Sequence, residues 1–517
     1  MSDTILIGLD FGTGGAKAVA ASAAGEVLFR GYEEYPQFHD APGFSEHDPD
    51  RYVEATFRLL GEAARVLGSR CSEVAGIGVS SALPSLVAVD GSGNPVGRAI
   101  NLMDRRAVAE VANCKRLVGE ETLLRVSGNR VEDHPGIVNL LWLKKHRPEA
   151  WERVAWGLTI DGFITMKLTG RPTLNRSSAA FMGVAYDLRR CEFDAAVLER
   201  VGLERSRLPE LVDCDEVVGG LLPEVAREVG LPPGIGVVGG QVDCNAAWIG
   251  GGAVEPGDWQ INLGTCGVIG VVHADRSFVD TEPGRQAVNI PYTTDVHKLY
   301  SAVAVTMTGG QVLRYLRDVI GGMERSAAHD LGVDAYDLLT LEASMAPPGC
   351  EGLLALPYFM GERTPLWDAT ARAAYVGLSL HHGRGHLVRA MLEGVAYALR
   401  WALEVVLGGG LPVKGPLVFN EGGARSALWR RVVTDILGVE TAMLVRGGGA
   451  ALGDAILAGV GTGVLPGFEC AGRFCELGER LAPDPSVAPV HDEGYQSFTE
   501  VYRALRGPLG SRTSSPT

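Results

Sequence analysis

Two stretches far apart in this chain are built alike. The first runs Thr4-Ile5-Leu6-Ile7-Gly8-Leu9, turns through Asp10-Phe11-Gly12-Thr13-Gly14-Gly15, and resumes as Lys17-Ala18-Val19-Ala20-Ala21. The second runs Trp259-Gln260-Ile261-Asn262-Leu263, turns through Gly264-Thr265-Cys266-Gly267, and resumes as Val268-Ile269-Gly270-Val271-Val272. Short apolar runs bounded by glycine turns read as strands, so each stretch is a β-hairpin with Gly-Thr at its turn. A repeated hairpin of this kind predicts two related domains. Length agrees, because 517 residues exceed the roughly 250 to 300 that one core can serve. The division is expected within the glycine-rich Ile249-Gly250-Gly251-Gly252, giving an N-terminal domain at 1–247 and a C-terminal domain at 248–506. The Gly, Ser, Pro and Thr of 507–517 read as a flexible tail.

Helices and strands alternate between the hairpins. Pro49 to Leu67 carries apolar residues at helical spacing, and Val74 to Val79 and Leu86 to Val89 read as strands, the latter closed by an Asp90-Gly91 turn. In the second half, His386 to Val406 has one apolar face and stops at Gly408-Gly409-Gly410. The strand Leu417-Val418-Phe419 then meets Asn420-Glu421-Gly422-Gly423 and a helix from about Ser426 to Leu437, an order suited to holding a nucleotide. The fold class is α/β, a sheet flanked by helices in each domain.

At 46% apolar and 21% charged residues, both halves are expected to fold. The formal charge of −15 excludes a broad surface for nucleic acid. A phosphate ligand must then be met locally, by backbone N–H groups, helix N-termini and a divalent cation. Met1-Ser2-Asp3-Thr4 has no basic leader, and the apolar stretch around Val268 to Val272 falls short of the ~20 residues that span a bilayer, so no membrane partner is expected. Nine scattered cysteines without C-x-x-C spacing read as reduced thiols of a cytoplasmic protein. Oligomeric state stays open, a homodimer included.

The chain contains no G-x-x-x-x-G-K-[ST], and Gly12-Thr13-Gly14-Gly15-Ala16-Lys17 misses the last glycine of G-x-G-x-x-G. Two Gly-Thr hairpins and one Gly-Gly turn remain. Their glycines admit phosphate oxygens to backbone N–H groups, the hydroxyls of Thr13 and Thr265 add donors, and Asp10 supplies charge for Mg²⁺.

Eight ordered stretches from Asp10 to about Gly461 then make the chain resemble the FGGY carbohydrate kinases, whose fold is similar to that of actin, hexokinase and the Hsp70 ATPase. They are Leu9 to Thr13, Met103 to Ala107, Asp161 to Gly170, Gly239-Gly240-Gln241-Val242-Asp243, Leu263-Gly264-Thr265, Gly361 to Pro365, Arg389 to Gly394, and Gly422-Gly423-Ala424-Arg425-Ser426. The resemblance implies two actin-like, ribonuclease H-like domains around a cleft, and transfer of the γ-phosphate of ATP, with Mg²⁺, to a hydroxyl of a small sugar or polyol. It assigns Asp10, Gly12 and Thr13 to one phosphate loop and Gly264 and Thr265 to the other. Gly309, Gly310, Gly422, Gly423 and Ala424 fall to the nucleotide, Asp10 and Asp243 to the metal, and Asp243 to the catalytic base. Asp104, Ala82 and Leu83 fall, with Asp243, to the substrate. Without the resemblance, Asp243 reads as a helix N-cap and Asp104 as an ion-pair partner of Arg105 or Arg106. Glu362 and Arg363 read as a structural ion pair, and His381 and His382 as solvated loop residues.

Several positions depart from the family pattern. Leu102 stands where a Trp is common, and Ala82-Leu83-Pro84-Ser85 stands where D-xylulose kinases have Gln-Met-His-Gly. The segment Ser80 to Asp90 is more similar to gluconate kinases, with Pro84 in place of their His; Cys244 and Cys266 also differ from the usual residues. A pentulose such as xylulose leads, and gluconate or another sugar acid or polyol is the alternative. From other classes, a non-catalytic actin-like sensor sits poorly with the retained Asp10 and Asp243. A chaperone-type ATPase lacks room for a peptide-binding domain after Gly461.

Overall fold

A continuously apolar strand needs cover on both faces, and the first strand has it. β1 (Ile5–Phe11) is buried at every position and pairs antiparallel with β2 (Gly15–Ser22), which pairs with β3 (Val27–Glu34). In the computed structural model, which describes residues 3–131, 136–420 and 425–513, with side chains as far as 508, the other neighbour of β1 is the parallel β4 (Val74–Ser81). Between them in sequence comes α1 (Pro49–Leu67), started by Asp48 accepting from the Asp50 N–H and by Pro49 in the first turn. Its buried Tyr52, Leu59, Leu60 and Ala63 share a core with Ile5, Ile7 and Leu9. After a long excursion that includes α2 (Ile160–Thr169), the chain returns through β5 (Val217–Gly220), β6 (Gly236–Val238), β7 (Gln241–Val242) and α3 (Asp243–Gly250). The sheet order is β5-β6-β4-β1-β2-β3, with β7 also on β4.

The second half repeats this plan. Its elements are β8 (Trp259–Leu263), β9 (Gly267–His273), β10 (Val288–Pro291), β11 (Tyr300–Thr306), α4 (Gln311–Val319), α5 (Ala335–Ser344) and α6 (Arg384–Gly408). There follow β12 (Leu417–Asn420), α7 (Ala427–Leu437), β13 (Thr441–Arg446), α8 (Ala450–Gly461), β14 (Glu476–Leu481) and α9 (Ala488–Thr513). The sheet order is β10-β11-β9-β8-β12-β13-β14. In both sheets an antiparallel hairpin strand, β1 or β8, lies beside two parallel strands, and an antiparallel edge strand closes that side. The likeness inferred from two turns therefore extends over whole sheets.

The two domains exchange helices. α3 follows the first sheet but bonds to the second: Trp248 Nε1–H donates to Asn262 at 3.2 Å, and Asn420 donates to the Ala247 carbonyl at 2.8 Å. α8 follows β13 of the second sheet but lies on the first. A Cβ on Gly8 of β1 would come 1.9 Å from the Ala451 carbonyl oxygen, and one on Gly78 of β4 would come 2.2 Å from that of Asp454. The expected break at 247/248 thus falls inside α3, which ends at Gly250.

One expectation needs correcting. Residues 507–517 were read as a tail; α9 continues through 507–513 with Pro508 inside it, and 514–517 lie outside the described residues. Tyr495, Phe498 and Tyr502 on this helix are buried in the second core, and the Tyr502 hydroxyl donates to Asp368 at 2.8 Å. That packing carries the helix into a stretch whose composition looks unstructured. No helix among the described residues is long and apolar enough to cross a membrane.

Candidate active site

Sheet register assembles the site. Asp10 of β1 lies beside Ser80 of β4, and Ser80 lies beside Gln241 of β7, so three strand ends stand in a row. Ligands of open α/β sheets bind beyond such carboxyl ends. The chain leaves these ends as the 12–14 turn, as Ala82-Leu83, and as Asp243.

The first turn is closed by Gly12 N–H donating to the Gly15 carbonyl at 3.0 Å, and the Tyr35 hydroxyl donates to the Gly12 carbonyl. Asp10 is buried, and this burial raises its pKa against the opposing pull of Lys17, whose ammonium is 3.3 Å away. A desolvated carboxylate with one long ion pair suits a further cation, so Asp10 fits the Mg²⁺ role.

Behind Asp10 is a second acid that sequence reading missed. Asp454 of α8 is fully buried, and its pKa is raised well above the usual range by burial. Ser80 Oγ–H donates to Asp454 Oδ2 at 2.6 Å and lies 3.3 Å from Asp10 Oδ1, while Gln241 Nε2–H donates to Asp454 Oδ1 at 2.9 Å. Asp454→Asn keeps the shape and one of the two acceptors and is expected to keep kcat within about tenfold. Asp454→Ala strands two buried polar partners at about 1–3 kcal/mol each and should lower both stability and kcat. Unfolding curves and initial rates on both variants decide this.

Asp243 is half-buried and is the first residue of α3, whose N-cap is Val242. The N-cap reading is therefore replaced: this carboxylate lies in the first helical turn, where the dipole favours negative charge. A buried chain of polar side chains fixes its backbone. Asp161 of α2 accepts from Asn175 at 2.7 Å and Ser178 at 2.9 Å, Ser177 donates to Asn175 at 2.9 Å, and Val242 N–H donates to Ser177 Oγ at 3.1 Å.

In the second domain, Gly309 N–H donates to the Thr265 carbonyl at 2.9 Å and Gly310 N–H to the Gly264 carbonyl at 2.5 Å. A Cβ on Gly309 would meet Cys266 backbone at 2.3 Å, so only glycine lets α4 begin against this turn. Gly264, Thr265 and Gly310 border a cleft of about 820 Å³ that also takes in Tyr336 and Thr340 of α5 and Arg425. Gly422, Gly423 and Ala424 lie outside the described residues; they belong to the interval between Asn420 and Arg425.

Comparison with known proteins decides the family. The model of the FGGY family of carbohydrate kinases, N-terminal domain, matches residues 5–250, and that of the C-terminal domain matches 260–462. The chain belongs to the FGGY family of carbohydrate kinases. It is 27% identical over 502 residues to the xylulose kinase of Bacillus subtilis (strain 168), covering 97% of this chain and 96% of the relative. It is 28% identical over 504 residues to the gluconokinase of the same organism, with the same coverage. The crystal structure of xylulose kinase from Rhodospirillum rubrum superposes with a TM-score of 0.86 at 28% identity, covering 98% of this chain and 99% of that one. This FGGY kinase is thus a phosphotransferase that uses ATP and an alcohol acceptor on a sugar.

Three predicted substrate residues are placed differently in the FGGY kinase than expected. Asp104 is fully buried, its Oδ1 taken by the N–H and Nε–H of Arg106 at 2.9 Å each, and its Oδ2 by Ser45 N–H and Arg106 Nη2–H at 2.7 Å each. A carboxylate has about four acceptor sites, so none is left for a sugar hydroxyl. Arg106 is further fixed by Glu46 at 2.8 Å and by the Phe44 ring. The ion-pair reading holds for Asp104, in the interior instead of on the surface. Ala82 is buried with its N–H bonded to the Phe11 carbonyl at 2.9 Å, and Leu83 packs in the core, so neither presents an open wall.

Glu362 is a tether. Its carboxylate accepts from Thr306 Oγ1–H at 2.6 Å, Met307 N–H at 2.9 Å and Arg363 N–H at 2.7 Å, which joins the 361–365 loop to the end of β11. Burial pushes its pKa up from 4.5 to about 7. The folded state therefore binds this proton more tightly than the unfolded chain, and the resulting stability is full below pH 4.5 and lost as pH rises to about 7. Denaturant unfolding at pH 4.5 and pH 7.5 should show Glu362→Gln reducing that loss by about 3 kcal/mol, since each pKa unit is worth about 1.4 kcal/mol.

Proposed function

We propose that Asp243 accepts the proton of an acceptor hydroxyl as the γ-phosphoryl group of ATP moves onto it. The observation that carries this is the register of β1, β4 and β7, which sets Asp10, Ser80 and Gln241 in one row with Asp243 just beyond. An alcohol is a poor nucleophile until a carboxylate takes its proton, and phosphoryl transfer otherwise needs positioning and charge stabilisation. ATP occupies the cleft of about 820 Å³, its phosphates toward the Gly264-Thr265 and Gly309-Gly310 backbone, with Gly12 and Thr13 facing them from the first domain. Gly422, Gly423 and Ala424 are assigned to its adenosine. Asp10 and Asp243 would hold Mg²⁺, which when bound neutralises charge on the phosphates. Closure of the domains excludes water, the competing acceptor.

The acceptor is a pentulose such as xylulose, a reading supported by full-length likeness to the Bacillus and Rhodospirillum xylulose kinases. Gluconate is the second reading. It is favoured by equal likeness to the Bacillus gluconokinase and by Arg105, Lys115 and Arg363 around a cleft of about 570 Å³. A cytoplasmic setting agrees with nine cysteines scattered along the chain without C-x-x-C spacing. The test is ADP release with MgATP against D-xylulose, L-xylulose, D-ribulose, ribitol, erythritol, glycerol and D-gluconate. Turnover on a pentulose is expected; turnover on gluconate alone selects the second reading, and none on any acceptor despite ATP binding overturns both.

A further inference from the structure

Three histidines and a glutamate meet where the loop before α6 lies against Pro348–Gly352. Nε2 of His381 and Nε2 of His386 each stand 3.4 Å from Oε2 of Glu351, and the His381 and His382 ring centroids are 4.0 Å apart. One donor atom from each of Glu351, His381 and His382 lies within 4.8 Å of the other two. We propose that these three residues bind a divalent cation of the Zn²⁺ class and so clip Pro348–Gly352 to the start of α6.

The spacing fits such an ion. Tetrahedral coordination with bonds of about 2.1 Å puts ligand atoms about 3.4 Å apart, which is the His381 to Glu351 separation. The surroundings set the rings. Ser379 Oγ is 2.6 Å from Nδ1 of His381, an acceptor for Nδ1–H in the tautomer that leaves the Nε2 lone pair facing Glu351. Nδ1 of His386 accepts from Gly383 N–H at 3.2 Å, so its Nε2 carries the proton and donates it to Glu351, orienting the carboxylate from outside the site. Nε2 of His382 is buried with no hydrogen-bond partner, a state that buried polar atoms rarely keep. Nδ1 of His382 accepts from Ser379 N–H at 3.0 Å, so Nε2 carries the ring proton; ligation through Nε2 gives up that bond and turns the new Nδ1 proton toward Ser379 Oγ, now 3.5 Å away. Two imidazoles and one carboxylate select a borderline first-row ion over Mg²⁺, which takes oxygen ligands and keeps its water.

The clip would act on a segment already tied to α6, since Gly349 N–H donates to Glu393 at 3.1 Å. It also neighbours the nucleotide cleft, because Arg384 of α6 bonds Glu342 of α5 at 2.9 Å. The experiment is a calorimetric titration of the tag-free full-length protein with ZnCl₂ in excess Mg²⁺, paired with the visible spectrum of the Co²⁺-loaded protein. One ion per chain is expected. His381→Ala and Glu351→Gln should each weaken binding at least about tenfold and remove the tetrahedral Co²⁺ band, and His386→Phe should weaken it by about 10 to 100-fold. Zinc-free MgATP turnover should stay unchanged in all three. No saturable binding overturns the proposal, as does binding that His381→Ala leaves untouched.

Discussion

Asp243→Ala is expected to lower kcat by about 10²- to 10⁴-fold, the usual worth of a positioned general base, while leaving ATP affinity within about threefold of the parent. The two effects separate because the residues bordering the cleft proposed for ATP, of about 820 Å³, come from the second domain, whereas Asp243 follows β7 of the first. Folding should be preserved, since the N–H of Val242 is held by Ser177 and Asp243 is a half-buried residue of the first turn of α3. The measurements are acceptor-dependent ADP release and equilibrium nucleotide binding on the same preparation. Unchanged turnover would remove Asp243 from the chemistry; loss of both activity and ATP binding would make it a structural residue.

Gly453→Ala is the second large effect, expected to cost about 3 kcal/mol or more. Alanine is the better helix former by about 1 kcal/mol, so propensity alone predicts a gain. Packing reverses the sign: a Cβ on Gly453 of α8 would lie 1.8 Å from the Ala246 carbonyl oxygen of α3, and one on Gly250 would lie 2.4 Å from that of Gly449. Backbone oxygens cannot rotate away, so the two helices must part, and with them the sheets on which they lie. Gly408→Ala, at the end of α6 with nothing within 4 Å of its new methyl, is the control. Denaturant unfolding of the pair should show a large loss for the first and little change for the second.

How much of this was legible in the sequence follows from the range of each interaction. Hairpin turns and the apolar faces of α1 and α6 are local, and α1 was read to the residue. The turn formed by Gly264 and Thr265 was also local, and Gly309 and Gly310 do meet it. Asp454 was invisible because its partners, Ser80 and Gln241, come to it only through sheet register and helix exchange. Asp161 sat in a recognised motif, but its link to Val242 runs through Asn175 and Ser177, which no spacing rule connects. Asp104 misled for the opposite reason: its partner Arg106 is a near neighbour, and only burial shows that the pair leaves no acceptor site open. The tail misled because composition speaks for an isolated segment, whereas Tyr495, Phe498 and Tyr502 bind the helix to a core.

The helix exchange also sets an order for folding during synthesis. Domains commonly fold as units as the chain emerges, the N-terminal one first. Here the first sheet cannot complete its packing at residue 250, since the helix that covers Gly8 and Gly78 is Ala450–Gly461. For most of translation the ribosome would therefore carry a sheet with one apolar face bare, a state prone to association with other nascent chains. A stop codon placed after the first domain should yield aggregate, and supplying residues 251–517 in trans should be needed to recover soluble protein.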